Sequence, residues 1–235
     1  MEKRAADEGK RAAGYTAADR VRDGMVIGLG TGSTVFFAME RLHERIASGL
    51  TVRGVPTSIQ TSILARGFCI PLATLDDYPV LDLAIDGADQ VDPAFRLIKG
   101  RGAALTREKC VAAAAKQLVV VVDESKLASC LNVPVPLEVL PFAVTPVLVQ
   151  LKALGGVPCV REGTKKDGPV ITDNGNFVID CAFGEIDHPD ELESSLNGIP
   201  GIIESGLFTG FTKKTIVIAG GKKRCRVLSS ADIVP

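Results

Sequence analysis

The chain has 235 residues, 46% of them hydrophobic, with 27 lysines and arginines against 28 aspartates and glutamates and a formal net charge of −1. That length allows one large domain or two modest ones with a sizeable core, and basic residues spread along a nearly neutral chain argue against a nucleic-acid protein, which usually carries a basic face. No apolar run is long enough to span a bilayer, and the charged start (Glu2, Lys3, Arg4, Asp7, Glu8, Lys10) lacks the apolar stretch of a secretory signal, so a cytoplasmic protein is expected.

Small apolar residues at helical spacing (Ala6, Ala13, Ala17, Val21) predict a first helix in ADEGKRAAGYTAADRV. MVIGLG reads as a short buried strand. STVFFAMERLHERIAS reads as a helix whose start Ser33 or Thr34 can cap. TVRGV, LDLAID and LVVVVD are further continuous apolar strands, separated by helical stretches such as REKCVAAAAK. Apolar strands alternating with helices predict a parallel sheet covered on both faces. After Lys126 the pattern changes. LNVPVPLEVLP carries Pro134, Pro136 and Pro141, the composition of a crossing between domains. PVLVQLKALGG reads as a helix closed by Gly155. CVRE, PVITDNG and NFVIDCAF read as antiparallel strands, with Asn174-Gly175 a tight turn, and HPDELESSLNGIPG as a helix with a glycine stop. KKTIVIAGG returns to an apolar strand that can rejoin the first sheet. The six scattered cysteines (Cys69, Cys110, Cys130, Cys159, Cys181, Cys225) form no CxxC pair. Disulfides and a zinc site are not expected, and the cysteines are expected to be small buried residues.

Four segments carry chemistry. In GLGTGST (28–34), glycines between a strand and a helix let the backbone approach a ligand, and the helix start offers N–H groups. Thr31, Ser33 and Thr34 add hydroxyls, which suits a phosphate. A dinucleotide fingerprint would need glycine where Ser33 stands, and the nucleotide-hydrolase loop would need a Gly-Lys-Ser/Thr, so neither applies. DGADQVD (86–92) follows a strand end but does not match a calcium loop. Asp86 and Asp89 can accept a sugar's hydroxyl protons, and spacing alone leaves a bland acidic turn equally open. In KGRGAALTREK (99–109), Glu108 lies early in a helix after Lys99, Gly100 and Gly102. A carboxylate so placed can act as a general base, and a capped, charged helix start is the plainer alternative. Arg107 and Lys109 read as structural or solvated. In VVDESK, Lys126 follows a strand as a phosphate partner or a surface charge, while TSIQTS (57–62) offers hydroxyls after the second strand, as a helix cap that also faces the cleft. His43 and His188 carry no motif.

In this order, GLGTGST, IDGADQVD, KGRGAALTREK, DESK, PLEVLP, ITDNGN and IPGIIESGLF closely resemble the type A ribose-5-phosphate isomerase family, over nearly the whole chain. The resemblance implies an α/β fold: a Rossmann-like, mostly parallel domain (1–131 and 206–235) with a smaller ferredoxin-like α+β domain (132–205), assembled as a homodimer or homotetramer. It implies interconversion of ribose 5-phosphate and ribulose 5-phosphate in the non-oxidative pentose phosphate pathway, with no metal or organic cofactor. Glu108 matches the general base that moves a proton between C1 and C2 through an enediolate. Asp86 matches the residue implicated in ring opening, Asp89 a hydroxyl ligand, and Lys99 the stabiliser of enediolate charge. Thr31, Gly32, Ser33 and Thr34 match the substrate-binding loop, with Gly87 and Ala88 between the acids and Gly100, Arg101 and Gly102 after the lysine. Lys126 matches a substrate-contacting lysine and Lys10 a phosphate-binding one. Two positions depart from the family: Gln90 stands where glutamate is usual and Arg101 where a third glycine is usual. Arg101 is expected to face solvent and Asp92 to be structural. A coenzyme A transferase or amino-sugar-phosphate deaminase would share the broad fold. A non-catalytic sugar-phosphate sensor would need the phosphate loop but no base, so the set Asp86, Asp89, Lys99 and Glu108 argues against it.

Overall fold

The computed structural model describes residues 2–165, 167–221 and 225–229. Along the chain run α1 (Glu2–Ala18), β1 (Val26–Leu29), α2 (Ser33–Ala47), β2 (Arg53–Pro56), α3 (Ile59–Gly67), β3 (Leu83–Asp86), β4 (Gln90–Val91), β5 (Leu97–Ile98), α4 (Leu105–Ala114) and β6 (Leu118–Asp123). Then follow β7 (Val135–Val139), α5 (Val144–Ala153), β8 (Val157–Val160), β9 (Phe177–Ala182), α6 (Pro189–Asn197), β10 (Ile202–Ser205), β11 (Leu207–Phe208), β12 (Thr215–Gly220) and β13 (Cys225–Ser229). Contacts group the described residues of 1–88, 107–127 and 211–235 into one compact unit, and those of 89–106 and 128–210 into a second.

The first unit is built on a six-stranded sheet of order β13-β12-β6-β3-β1-β2. Neighbours from β2 to β12 pair in parallel, and β13 closes the edge antiparallel. KKTIVIAGG thus rejoins the first sheet, as β12. The apolar runs are continuous because these strands are buried at successive positions; β6 is buried at its first five. On α2, Val35, Ala38, Met39 and Leu42 recur at helical spacing and enter one core with Ala13 and Ala17 of α1 and with Ile27, Leu29, Ile85, Val119, Val121 and Ile218 of the sheet. The parallel strands follow a Rossmann-like doubly wound order, which reverses between β1 and β3. Open sheets of this kind place ligands at the carboxyl ends of the strands flanking such a reversal. The segments that leave β1 and β3 there are 30–34 and 87–88.

The second unit pairs β10-β7-β9-β8 antiparallel. With α5 and α6 in the connections, the element order βαββαβ and this strand order are ferredoxin-like. A separate antiparallel trio, β11-β5-β4, completes the unit. Val135, Leu137 and Val139 of β7 share a core with Val147 and Leu151 of α5, Leu196 of α6, and Ile179 and Cys181 of β9.

Four sequence expectations are corrected. The proline-bearing stretch is not a crossing: β7 is buried at all five positions, between β10 and β9. Its alternating apolar residues outweigh the prolines, and Pro136 still gives its carbonyl to the Gly206 N–H (2.7 Å). PVITDNG forms only isolated bridges at Pro169 and Ile171, because Thr172 Oγ1 accepts the N–H groups of Asn174 and Asn176 and folds the segment into the Asn174-Gly175 turn. Neither Ser33 nor Thr34 caps α2; the N-cap is Gly32, and those hydroxyls sit inside the first turn. The cysteines are mostly not buried: Cys69, Cys110 and Cys159 are exposed and Cys130 and Cys225 half-buried. Cys159 lies on the exposed side of β8 with Val157. Only Cys181 is buried, and burial pushes its thiol up to about 11. No described helix is long and apolar enough to cross a membrane.

Candidate active site

In the first unit the candidate residues gather where β1 and β3 end. Gly30 donates its N–H to Ile85 O (2.9 Å) across the β1–β3 pair. A Cβ on residue 30 would lie 2.0 Å from Asp86 Oδ1, so only glycine admits the carboxylate there. Asp86 is 3% exposed. Its Oδ1 accepts the N–H groups of Thr31 (3.3 Å) and Gly87 (2.7 Å).

Thr31 is fixed from a second side. Its Oγ1 donates to Ser58 Oγ (2.8 Å) and lies 3.1 Å from both Thr57 Oγ1 and Thr61 Oγ1. Thr61 in turn donates to Gly30 O (2.9 Å). Ser58 is the N-cap of α3 and accepts the Thr61 N–H (3.0 Å), so TSIQTS is a helix cap, as its composition predicts. Its hydroxyls also brace the 30–31 turn, a contact the sequence did not announce. Gly32 and Ser33 are exposed and Thr34 is buried. No side chain caps α2, which leaves its first N–H groups and positive dipole end to an anion or solvent.

Glu108 lies in the first turn of α4 and is 5% exposed. The far end of that helix is held by Lys214, whose Nζ donates to the carbonyls of Ala112 (2.7 Å), Ala113 (3.1 Å) and Ala115 (2.7 Å). Burial pulls the Lys214 ammonium below its ordinary range. Lys126 is half-buried in the short turn after β6, where Asp123 accepts the Ser125 N–H (3.1 Å). Lys10 is half-buried on α1, and Gly87 and Ala88 are half-buried after β3.

In the second unit, Lys99 follows β5 and is 3% exposed. Its N–H bonds Gly206 O (2.9 Å), and its Nζ stands 5.4 Å from the centroid of the Phe208 ring. Gly100 has φ +109°, and a Cβ there would meet Leu105 Cδ2 at 2.8 Å. Asp89 gives its N–H to Ile98 O (2.8 Å) and accepts the Arg101 N–H on Oδ2 (2.9 Å). The Arg101 side chain is 82% exposed, with Nε 3.7 Å from Asp89 Oδ1, so it faces solvent as expected. Gly102 is exposed beside it.

Asp92 is structural. It is 3% exposed and accepts the N–H groups of Ala94 and Arg96 (2.9 Å each) and Arg96 Nε (2.6 Å). Gln90 is buried, and its amide pairs both ways: Nε2 donates to Asn132 Oδ1 (2.7 Å), and Oε1 accepts the N–H groups of Asn132 (2.7 Å) and Val133 (3.2 Å). A glutamate here would have no N–H for Asn132. The amide that replaces the usual charge is therefore a structural lock. His43 Nδ1 stands 2.8 Å from Phe68 O, and neither it nor His188 joins these groups.

Two charged groups of the second unit, one buried and one half-buried, were not announced by the sequence. Glu138, on β7, is fully buried. It accepts from Thr106 Oγ1 (2.5 Å), Thr172 Oγ1 (2.8 Å), Asn174 Nδ2 (3.0 Å) and Asn176 Nδ2 (2.8 Å). Burial pushes this carboxyl up, but the four donors together outweigh it and hold it below the ordinary glutamate range. Arg161, after β8, pairs with Asp180 and donates to the carbonyls of Gly100 and Arg101. The only signals were a lone carboxylate inside an apolar strand and a lone arginine after another.

The family model described as ribose 5-phosphate isomerase A (phosphoriboisomerase A) matches residues 53–223. The chain is 64% identical over 226 residues to ribose-5-phosphate isomerase A of Methanoregula boonei, covering 96% of this chain and 95% of the relative. It is 55% identical over 223 residues to that of Thermosynechococcus vestitus, covering 92% and 94%. Among solved structures it is similar to ribose 5-phosphate isomerase A of Methanocaldococcus jannaschii (TM-score 0.90, 46% identity, 94% of this chain and 98% of the other). It is also similar to a D-ribose-5-phosphate isomerase in complex with phospho-erythronic acid (TM-score 0.92, 45% identity, 95% and 99%).

Proposed function

The chain belongs to the ribose 5-phosphate isomerase A family, and on that premise we propose how its residues divide the reaction. It is an aldose–ketose isomerase that interconverts D-ribose 5-phosphate and D-ribulose 5-phosphate. Glu108 is the base: it takes the proton from one of C1 and C2 and returns it to the other through an enediolate. Lys99 stabilises the charge that develops on the enediolate oxygens. Asp86 moves the proton in opening the furanose ring, and Asp89 accepts a sugar hydroxyl. Thr31, Gly32, Ser33 and Thr34, with Lys10 and Lys126, hold the phosphate, whose binding energy keeps a small flexible sugar in reactive geometry. Gly87, Ala88, Gly100, Arg101 and Gly102 bring backbone close to the sugar.

One observation carries this reading. A solved relative, 45% identical over nearly the whole chain, is in complex with phospho-erythronic acid. A phosphorylated sugar acid pairs a phosphate with a planar two-oxygen anion, the charge pattern of a phosphorylated enediolate. The burial of Glu108 and of Lys99 accords with it, since a charge's interaction with a bound group is stronger where water is excluded.

The reaction needs no metal or organic cofactor in this proposal. The protein is read as a cytoplasmic homodimer or homotetramer. The six free cysteines accord with a reducing compartment, and exposed Phe142 (94%) and Val149 (63%) of the second unit are apolar surface that a partner subunit can cover. The test is a coupled assay on ribose 5-phosphate, run with and without a chelator. Glu108→Gln is expected to lose about 10²–10⁴-fold in kcat, the range of general-base catalysis, while still binding ribose 5-phosphate. Wild-type turnover in that variant sinks the base assignment, and a chelator-induced loss restored by metal sinks the cofactor-free reading.

A further inference from the structure

We propose that Arg161, held by Asp180, is a positioning residue for the loop that carries Lys99. Arg161 continues the β8–β9 pairing, giving its N–H to Val178 O (2.8 Å). Cys159 stands opposite Asp180, so Asp180 is the diagonal cross-strand neighbour of Arg161, within reach of a long side chain. The guanidinium pairs with it at two points: Nε donates to Asp180 Oδ2 (2.7 Å) and Nη2 to Oδ1. That pairing fixes the guanidinium plane and aims the third nitrogen. Nη1 donates to Gly100 O (3.0 Å) and to Arg101 O (2.9 Å). The Arg161 side chain is only 17% exposed, so salt and water weaken these charge-assisted bonds little.

Two consecutive carbonyls can meet one nitrogen only on a sharply turned backbone. Gly100 supplies the turn with φ +109°, and Ala103 N–H closes it onto Gly100 O (3.0 Å). Lys99 precedes this turn and is pinned on its other side by Gly206 O. Its ammonium therefore stands on backbone fixed at both ends, by the β5–β11 ladder and by Arg161. Only arginine serves both roles, because its planar fork presents separate N–H groups to the carboxylate and the carbonyls; a lysine offers one point charge.

The inference rests on the reading of Lys99 as the group that stabilises the enediolate. A misplaced Lys99 would weaken an interaction made in the transition state, so kcat falls while KM moves little. Arg161→Lys keeps a charge against Asp180 and loses the fork. It is expected to melt near the wild-type temperature, with kcat down about tenfold or more and KM within about threefold, scaled from the 10²-fold that about 1 Å of misplacement brings. Arg161→Ala is expected to lose about 10²-fold in kcat and to recover part of it with millimolar guanidinium ion. If that variant fails to fold, Asp180→Asn takes its place: it leaves the fork unanchored and lowers kcat with KM again nearly unchanged. Wild-type kcat in Arg161→Lys overturns the proposal. So does an Arg161→Ala defect that guanidinium does not relieve and that raises KM as much as it lowers kcat. Lys99→Met is measured alongside. Its inactivity beside a fully active Arg161→Lys removes the positioning role alone, whereas its retained activity removes the reading of Lys99 and the proposal with it.

Discussion

The two loops to which the proposal assigns the chemistry are held in opposite ways. The 30–31 turn and Asp86, in the first unit, sit in a neutral cradle of backbone N–H groups, the hydroxyls of Thr57, Ser58 and Thr61, and a glycine with no room for a methyl. The 99–106 loop of the second unit is gripped by buried or half-buried charges: Asp89 on the Arg101 N–H, Arg161 on two carbonyls, and Glu138 on Thr106. A neutral cradle is sensitive to shape, because one added methyl has no room in it. A charged grip depends on charges held at fixed points, and weakens when one is removed, neutralised or moved off its partner. The same enzyme therefore contains one loop that sterics should break and one that electrostatics should break.

The largest effect is expected from Gly30→Ala. Its Cβ would lie 2.0 Å from Asp86 Oδ1, far inside contact distance, so the carboxylate or the 30–31 turn must move by an ångström or more. Displacement on that scale is expected to lower kcat/KM by about 10²–10³-fold. The loss should not vary with pH beyond the wild-type profile, because no charge is changed. A variant within tenfold of wild type would mean that the cradle yields without harm to the site.

Glu138 tests the charged grip. Glu138→Ala leaves Thr172, Asn174, Asn176 and Thr106 without their shared acceptor and is expected to cost about 2–3 kcal/mol in chemical denaturation. Glu138→Gln keeps an oxygen for the Thr172, Asn174 and Asn176 donors, and its amide can donate to a rotated Thr106 hydroxyl, so about 1 kcal/mol is expected. The two should also differ from wild type in acid. The native pKa of Glu138 is depressed, so its contribution is fully present above the ordinary glutamate value of 4.5 and fades as the pH falls through the lower native value. Below pH 4.5 the wild type should lose its advantage over Glu138→Gln; an advantage that persists unchanged at lower pH would show that the carboxylate's charge is not what grips the loop.

The same contrast explains how much the sequence disclosed. The parallel sheet was readable because its strands are long apolar runs between amphipathic helices, and the loops leaving β1 and β3 announced themselves with glycines and acids at strand ends. β4 and β5 have two residues each, too few for any period, and the pairing of β5 with β11 joins segments more than a hundred residues apart. Asp86 and Thr31 belonged to recognisable segments; the residues that brace the second loop did not. Arg161 lies 61 positions from Gly100, and Glu138 lies 32 from Thr106. Glu138 stands alone among apolar neighbours, and Arg161 beside Glu162 at a strand end reads as surface charge, so neither points to its distant partner. The prolines around β7 misdirected for a related reason: local propensity marks a break, while the buried alternation of Val135, Leu137 and Val139 decides the strand.

Arg101→Gly gives the smallest effect and the sharpest check on what grips the second loop. The loop is held here through the backbone of residue 101: its N–H goes to Asp89 and its carbonyl to Arg161, and both survive the substitution. What is lost is an 82% exposed side chain with one long ion pair to Asp89. Exposed pairs of this kind are worth about 0.2–1 kcal/mol, and the added backbone freedom of glycine acts in the same direction. A fall in kcat/KM of about two- to threefold is therefore expected, shrinking as salt screens the pair in the wild type. A loss above tenfold would mean that the guanidinium itself meets the substrate, and the usual glycine at this position would then mark a difference in how the sugar phosphate is held rather than a neutral exchange.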